Sequence, residues 1–217
     1  MTAPMDLAAL FVSAFVTLFV VLDPPGCVPI FSSLTSGASA AHRRAMALRS
    51  TAIASVVLVL FGAVGEAFLA SLGISLAAFR IAGGIMVFLI AIDMVFEKRT
   101  ERRESRAEEV IQGREVMEED ISVFPMAIPM LAGPGSIASV MLLSARAHGV
   151  EAHLVVFAAL AAVMAITLVS LLAAGPLMRL MGDRIEAMIT RLLGVVLAAL
   201  AAQFVVDGLK QAFNLAA

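Results

Sequence analysis

Tryptophan and tyrosine are missing from this chain of 217 residues, and cysteine occurs once, as Cys27. A lone thiol has no intramolecular partner, which excludes a disulfide framework. Without Trp or Tyr, any membrane interface has to be anchored by Phe and flanking Arg residues in place of the usual aromatic belts. Charge is scarce as well: Asp, Glu, Lys and Arg make up 15% of the sequence, against about 25% in soluble domains. The net charge of -2 leaves no basic footprint for a nucleic acid. The three histidines, His42, His148 and His153, lack zinc-ligand spacing, so no metal site is expected. There is no Walker sequence, no G-x-S-x-G elbow and no H-E-x-x-H. An ATP-driven pump and an enzyme are therefore not expected, and no catalytic residue is assigned.

What the chain has in excess is apolar surface. Hydrophobic residues make up 61% of it, and the mean hydropathy is +1.02. Such a surface has to face lipid. Met1 to Asp6 lacks the basic region of a cleavable signal peptide, so the first apolar segment is expected to stay in the protein.

A bilayer core about 30 Å thick needs ~20 apolar residues per spanning helix. Cut against that length, the sequence gives six segments: Leu7 to Phe31, Ala45 to Gly65, Ile74 to Phe96, Ile121 to Leu143, Leu154 to Leu177 and Ala187 to Val206. None alternates with period two, so the segments are helices and the fold class is an all-α membrane protein. Glu97 to Asp120 holds six basic and nine acidic residues and reads as a solvated linker. It divides the chain into a first repeat (1–96), the linker (97–120) and a second repeat (121–217). Basic residues set the expected orientation. With both termini outside, eleven of them fall on the cytoplasmic side, and only Arg146 and Lys210 fall clearly outside.

The halves share landmarks. Pro25-Gly26 recurs as Pro134-Gly135, and Arg80-Ile-Ala-Gly83 recurs as Arg191-Leu-Leu-Gly194, at offsets of 109 and 111 residues. Three crossings per half make the second half enter from the opposite side, the inverted repeat of many secondary transporters.

Six of the eight prolines lie in two windows, LDPPGCVPIF and FPMAIPMLAGPGSIAS. Internal prolines remove backbone hydrogen bonds, so the first and fourth segments are expected to be broken. Asp23-Pro24 has the grammar of a new helix start, with Asp as cap and Pro in the first turn, and Gly133-Pro134 repeats it. Two such starts aimed at one cavity would present the N–H groups of Gly26, Cys27, Gly135 and Ser136 to a carboxylate. The plain alternative is a pair of proline kinks re-satisfied by neighbouring helices.

Asp23 is the leading carboxylate, as ion ligand, proton carrier or cap. Asp93 is the second candidate for a coupling ion or proton, since an acid within a span is costly. Arg80 and Arg191 read as interfacial anchors or as substrate contacts, and Glu66, Asp207 and Lys210 as boundary charges. Gly83, Gly84 and Gly194 suit close helix packing, and Cys27 suits packing more than nucleophilic chemistry.

The stretches LDPPGCVPIF, LGISLAAFRIAGGIMVFLIAIDMVF, FPMAIPMLAGPGSIA and TRLLGVVLAALAAQFVVDGL resemble the MarC/SnatA family of bacterial and archaeal inner-membrane proteins. The likeness runs through nearly the whole chain. It implies transport of glycine, alanine or similar neutral amino acids, driven by a sodium or proton gradient. Mapped onto this chain, it implies a substrate site at Asp23, Pro25, Gly26, Cys27 and Val28 together with Gly133, Pro134, Gly135, Ser136 and Ile137. Pro25 stands at the variable position of the family's D/N-P-x-G pattern, which leaves one fewer N–H in that loop. The expected partners are a small-molecule solute and the lipid bilayer, without nucleic acid. No cofactor is expected beyond a coupling ion, and an oligomer is compatible with the pattern. The competing function is a membrane-embedded protein with a lipid-related or regulatory role and no transport.

Overall fold

The computed structural model describes residues 6–96 and 120–213. The linker therefore lies outside the described residues except for Asp120, as do both chain ends. Helix α1 (Leu7–Leu22) and α2 (Pro24–Leu34) form the first segment, followed by α3 (Ala40–Ser71) and α4 (Leu76–Val95). After the linker, Ser122–Leu131 runs as a wide, irregular coil into α5 (Pro134–Arg146), then α6 (Val150–Leu172) and α7 (Ala174–Ala212). Short polar side chains start α1, α3 and α4, and Asp23 starts α2. Asp6 accepts from Ala8 and Ala9 N–H, Ser39 from His42 N–H, and Ser75 from Ala78 N–H. Each satisfies donors that a helix start leaves open, worth ~1 kcal/mol per cap.

Among the described residues five spans are long and apolar enough to cross a bilayer: Leu7–Leu34, Ala40–Ser71, Leu76–Val95, Val150–Leu172 and Arg191–Ala212. A sixth results if Ser122–Leu131 and Pro134–Arg146, bent by 54°, count as one. Large side chains such as Val56, Leu89, Val169 and Leu192 stay exposed along these helices. Patches of that extent are untenable in water and ordinary in lipid. Most expected boundaries move by a few residues, among them the end of the second segment, at Ser71, and the end of the sixth, at Ala212, and two of the shifts have a plain local cause. The fifth segment ends at Leu172 rather than Leu177, because Pro176 falls in the first turn of α7, where its missing N–H costs no helical bond. The second begins earlier, at Ala40, because Ser39 caps a polar turn ahead of the apolar run.

Glycines let α4 and α7 pack closely. A Cβ on Gly84 would lie 2.9 Å from Ala201 O, one on Gly194 2.9 Å from Met94 Cβ, and one on Gly208 3.0 Å from Ala77 O. Rising numbers on α4 meet falling numbers on α7, so the two helices run antiparallel. The first is the last helix before the linker, and the second is the last helix of the described residues. On the opposite flank α3 runs alongside the fourth segment in the same sense, with Arg49 at Asp120 and Gly65 against Met141. The largest core joins α1, α2, α3, the Ser122–Leu131 coil, α5 and α6. A second core of Val20, Val21, Val87, Ala91, Met94, Leu197 and Ala201 ties α1 to the α4–α7 pair.

Candidate functional site

The first break lies where the sequence places it. Asp23 sits between α1 and α2 in the left-handed region, φ 53° and ψ 63°, a conformation that Asp tolerates better than most side chains. Its N–H donates to Phe19 O at 2.9 Å and ends α1, while its Oδ1 accepts from Gly26 N–H at 3.2 Å and starts α2. Pro24 and Pro25 fill the first two helical positions, where they need no donor. Asp23 is 1% exposed. A carboxylate that deep is affordable only with hydrogen bonds or charge around it. Beside it the Cys27 thiol is buried and points at Leu22 O, 3.6 Å away, in keeping with a packing role.

The second break differs in its approach. Phe124 and Ile128 are extended, and the Phe124–Pro125 and Ile128–Pro129 peptide bonds are cis, so the chain ahead of α5 is not a half-helix. Gly133 is also extended, with φ -81° and ψ 170°, and a side chain there would strike Pro129 O at 2.5 Å. Helix α5 then starts at Pro134, and no side chain among the described residues caps it. The two breaks therefore start their helices in unlike ways: α2 carries an internal carboxylate cap, and α5 does not.

The breaks adjoin through α1 and α4. A Cβ on Gly135 would lie 3.7 Å from Val21 Cγ1, two residues before Asp23, and 2.2 Å from Ile90 Cδ1. Asp93 is half-buried one turn further along α4 from Ile90. Pro25 and Ile137 are half-buried, Pro134 is exposed, and Gly26, Val28, Gly133 and Ser136 are buried.

Two expectations are corrected here. The N–H groups of Gly26 and Cys27 do not point free into a cavity. Gly26 donates to the Asp23 carboxylate and Cys27 to Asp23 O at 3.1 Å, because an Asp cap uses its own side chain on the donors it exposes. Nor do the breaks open onto empty space, since the Asp23 carboxylate fills the face of Gly26 and Ile90 fills that of Gly135. A cavity of about 400 Å³ lies instead near the far end of α2.

The boundary charges gain partners that the sequence does not announce. Asp207 is paired: the Arg146 guanidinium bonds one carboxylate oxygen, and Gln203 Nε2 donates to the other at 2.6 Å. Arg146 also stacks over Phe204 at 4.8 Å, and Arg80 donates to Gln211 Oε1 at 2.8 Å, linking α4 to α7. The partners lie 61 and 131 residues apart, so no local pattern announces them. Arg191 is exposed on α7. Among the described residues no group of three His, Cys, Asp or Glu is placed to hold a metal ion.

Several apolar spans, two of them broken inside a buried core, define a polytopic α-helical integral membrane protein. Residues 8–213 match the family described as MarC family integral membrane protein, and the chain belongs to that family. It is 36% identical to a UPF0056 membrane protein of Archaeoglobus fulgidus, over 95% of this chain and 97% of that protein. It is also 36% identical to the UPF0056 membrane protein YvbG of Bacillus subtilis, over 93% and 95%, and to the UPF0056 inner membrane protein YhgN of Escherichia coli, over 92% and 95%. No solved structure matches.

Proposed function

We propose that this chain is a secondary transporter of a small neutral amino acid, of glycine or alanine size, coupled to a sodium or proton gradient. In this reading it lies in the inner membrane with both termini outside, and residues 1–96 and 121–217 are inverted three-helix repeats joined by the cytoplasmic linker 97–120. No enzymatic step and no further cofactor are invoked.

The observation that carries the proposal is the meeting of the two breaks, with Gly135 against Val21 and Ile90 beside the Asp23 turn. Broken helices near mid-membrane serve transporters because non-helical backbone is tolerated there only beside protein or a water-filled path. The antiparallel α4–α7 pair supports the inverted halves, since equivalent helices of inverted repeats must run in opposite directions. The packing pattern supports them too: α3 on α5 has its counterpart in α6 on α2, and α4 on α5 in α7 on α2.

Gly26 and Gly135 are closely packed, so the side chains beside them have to move before a solute fits there. Moving Ile90 off Gly135 and the Asp23 side chain off Gly26 would open room for a small carboxylate at the uncapped start of α5. Asp23, with Asp93 one turn from Ile90, is the group assigned to the coupling cation. Proteoliposomes loaded with the purified chain should accumulate labelled glycine or alanine when a sodium or proton gradient is imposed. Uptake no greater than in protein-free vesicles under every gradient would overturn the proposal.

A further inference from the structure

The cavity of about 400 Å³ belongs to neither break. Phe31 and Ser32 on α2, Thr35 just past its end, Arg43 and Arg44 on α3, and residues at the junction of α6 and α7 enclose it. Its place in the fold is specific. The end of α2, the start of α3, the end of α6 and the start of α7 all converge there, and helix ends lie at the depth of lipid headgroups. The wall is mostly apolar, made by Phe31, Leu171 and Leu172. Leu172 is 46% exposed, so the rim continues onto the lipid-facing flank of the bundle rather than only toward water. At the mouth stand two exposed guanidiniums, and among the described residues no carboxylate lines the cavity. The Thr35 hydroxyl donates to Phe31 O at 2.7 Å, which leaves its oxygen as an acceptor.

We propose that this cavity binds the headgroup of an anionic phospholipid from the leaflet that meets this end of the bundle. The ligand must be apolar on one side and doubly hydrogen-bonding and negative on the other. A phosphodiester with its glycerol and upper acyl chain satisfies both demands, with the phosphate on Arg43 and Arg44 and the acyl stem on Phe31 and Leu172. Guanidinium forks match phosphate oxygens in pairs, and basic pockets between helices at the cytoplasmic face are a recurrent headgroup site. The site stands apart from the two breaks and does not depend on the chain carrying a solute.

Gly175 supplies a test that leaves charge alone. It lines the cavity, and a Cβ added to it meets nothing within 4 Å. Gly175→Leu should fold and fill the space, while Arg43→Gln/Arg44→Gln removes the charges and keeps the space. The full-length protein, reconstituted in nanodiscs of phosphatidylcholine with a minor share of phosphatidylglycerol, is released for native mass spectrometry. Wild type should retain one phosphatidylglycerol. Both variants should retain roughly 10-fold less, as expected for the loss of one or two charge-assisted hydrogen bonds or of the apolar seat. Arg102→Gln/Arg103→Gln in the linker makes the same change in net charge and should retain lipid as wild type does. Equal loss in that control would mean diffuse attraction to the membrane and overturn the site. So would undiminished retention by Gly175→Leu, equal retention of phosphatidylcholine, or displacement of the lipid by millimolar inorganic phosphate, which would mark a soluble-anion site.

Discussion

The Asp23 carboxylate occupies the place where a Gly26 side chain would be: Oδ1 accepts the Gly26 N–H at 3.2 Å, and a Cβ on Gly26 would lie 2.2 Å from Oδ2. The residue that ends α1 thus also holds the start of α2, in a left-handed turn.

Cap and charge are separable at Asp23. Asparagine also caps and also tolerates φ 53°, whereas alanine does neither. Asp23→Ala should therefore lower stability by about 1–2 kcal/mol, and Asp23→Asn by only a few tenths. If the carboxylate carries the coupling cation, Asp23→Asn should nevertheless abolish gradient-driven uptake while facilitated exchange persists. Thermal unfolding in detergent, run beside uptake in proteoliposomes, reads both. Full concentrative uptake by Asp23→Asn would reduce the residue to a cap.

Gly135 and Gly194 exclude a side chain for different reasons. At Gly194 the obstruction is Met94 Cβ and the backbone of Val95, which cannot retreat, so Gly194→Ala should cost about 1–3 kcal/mol of overpacking. At Gly135 the obstruction is the tip of Ile90, and Ile90→Val removes the clashing Cδ1. Gly135→Ala/Ile90→Val should regain the stability that Gly135→Ala loses. Should the space serve a small carboxylate, the double variant stays deficient in glycine-induced thermal shift despite its recovered stability. A restored shift would make Gly135 a packing residue only.

How much of this was legible in advance follows from the range of each interaction. The breaks at Asp23-Pro24 and Gly133-Pro134 come from two-residue grammar, and both helices begin there. The packing of Gly84 and Gly194 also follows from residue type, since a small residue in an apolar helix is a place of close approach. The Arg146–Asp207 pair was not legible, because it depends on how α5 meets α7, which no local spacing encodes. The irregular chain from Ser122 was only half legible: its prolines announce a disrupted helix and favour extended backbone at the residues before them, Phe124 and Ile128, but the packing of this stretch against α3 is encoded by no local spacing. The cavity by Arg43 was missed because basic residues near a helix start read simply as a topology signal.

Asp120 gives an acid-side prediction outside the spans. The Ser122 hydroxyl and then the Ser122 N–H bond its carboxylate, and Arg49 adds a contact at 2.7 Å; together they hold it below the ordinary carboxylate value of 3.8. A depressed folded-state value means stability that is present above the unfolded value and lost as pH falls through the folded one. Both partners are largely exposed, so the effect is small, a few tenths to about 1 kcal/mol. Wild type should lose that increment below about pH 4, and Asp120→Asn should show a flatter profile across the same window. Thermal midpoints between pH 3 and pH 6 check this, and parallel profiles would remove the pair from the stability of the fold.

Orientation supplies the remaining prediction, and it is where the inverted halves are most exposed to test. Antiparallel α4 and α7 require an even number of crossings between them, whichever way the protein lies. The bias of basic residues toward one end then selects the direction, because cytoplasmic loops carry the excess of Lys and Arg. Cys27 is buried, so single cysteines added elsewhere are readable against it by an impermeant thiol reagent. Ala3→Cys and Asn214→Cys should be labelled in intact cells, and Gln112→Cys only after the cells are opened. Labelling of Gln112→Cys alone would reverse the orientation and keep the repeats. Labelling that separates Ala3→Cys from Asn214→Cys would instead require an odd number of spans overall, and the two-half architecture would fall with it.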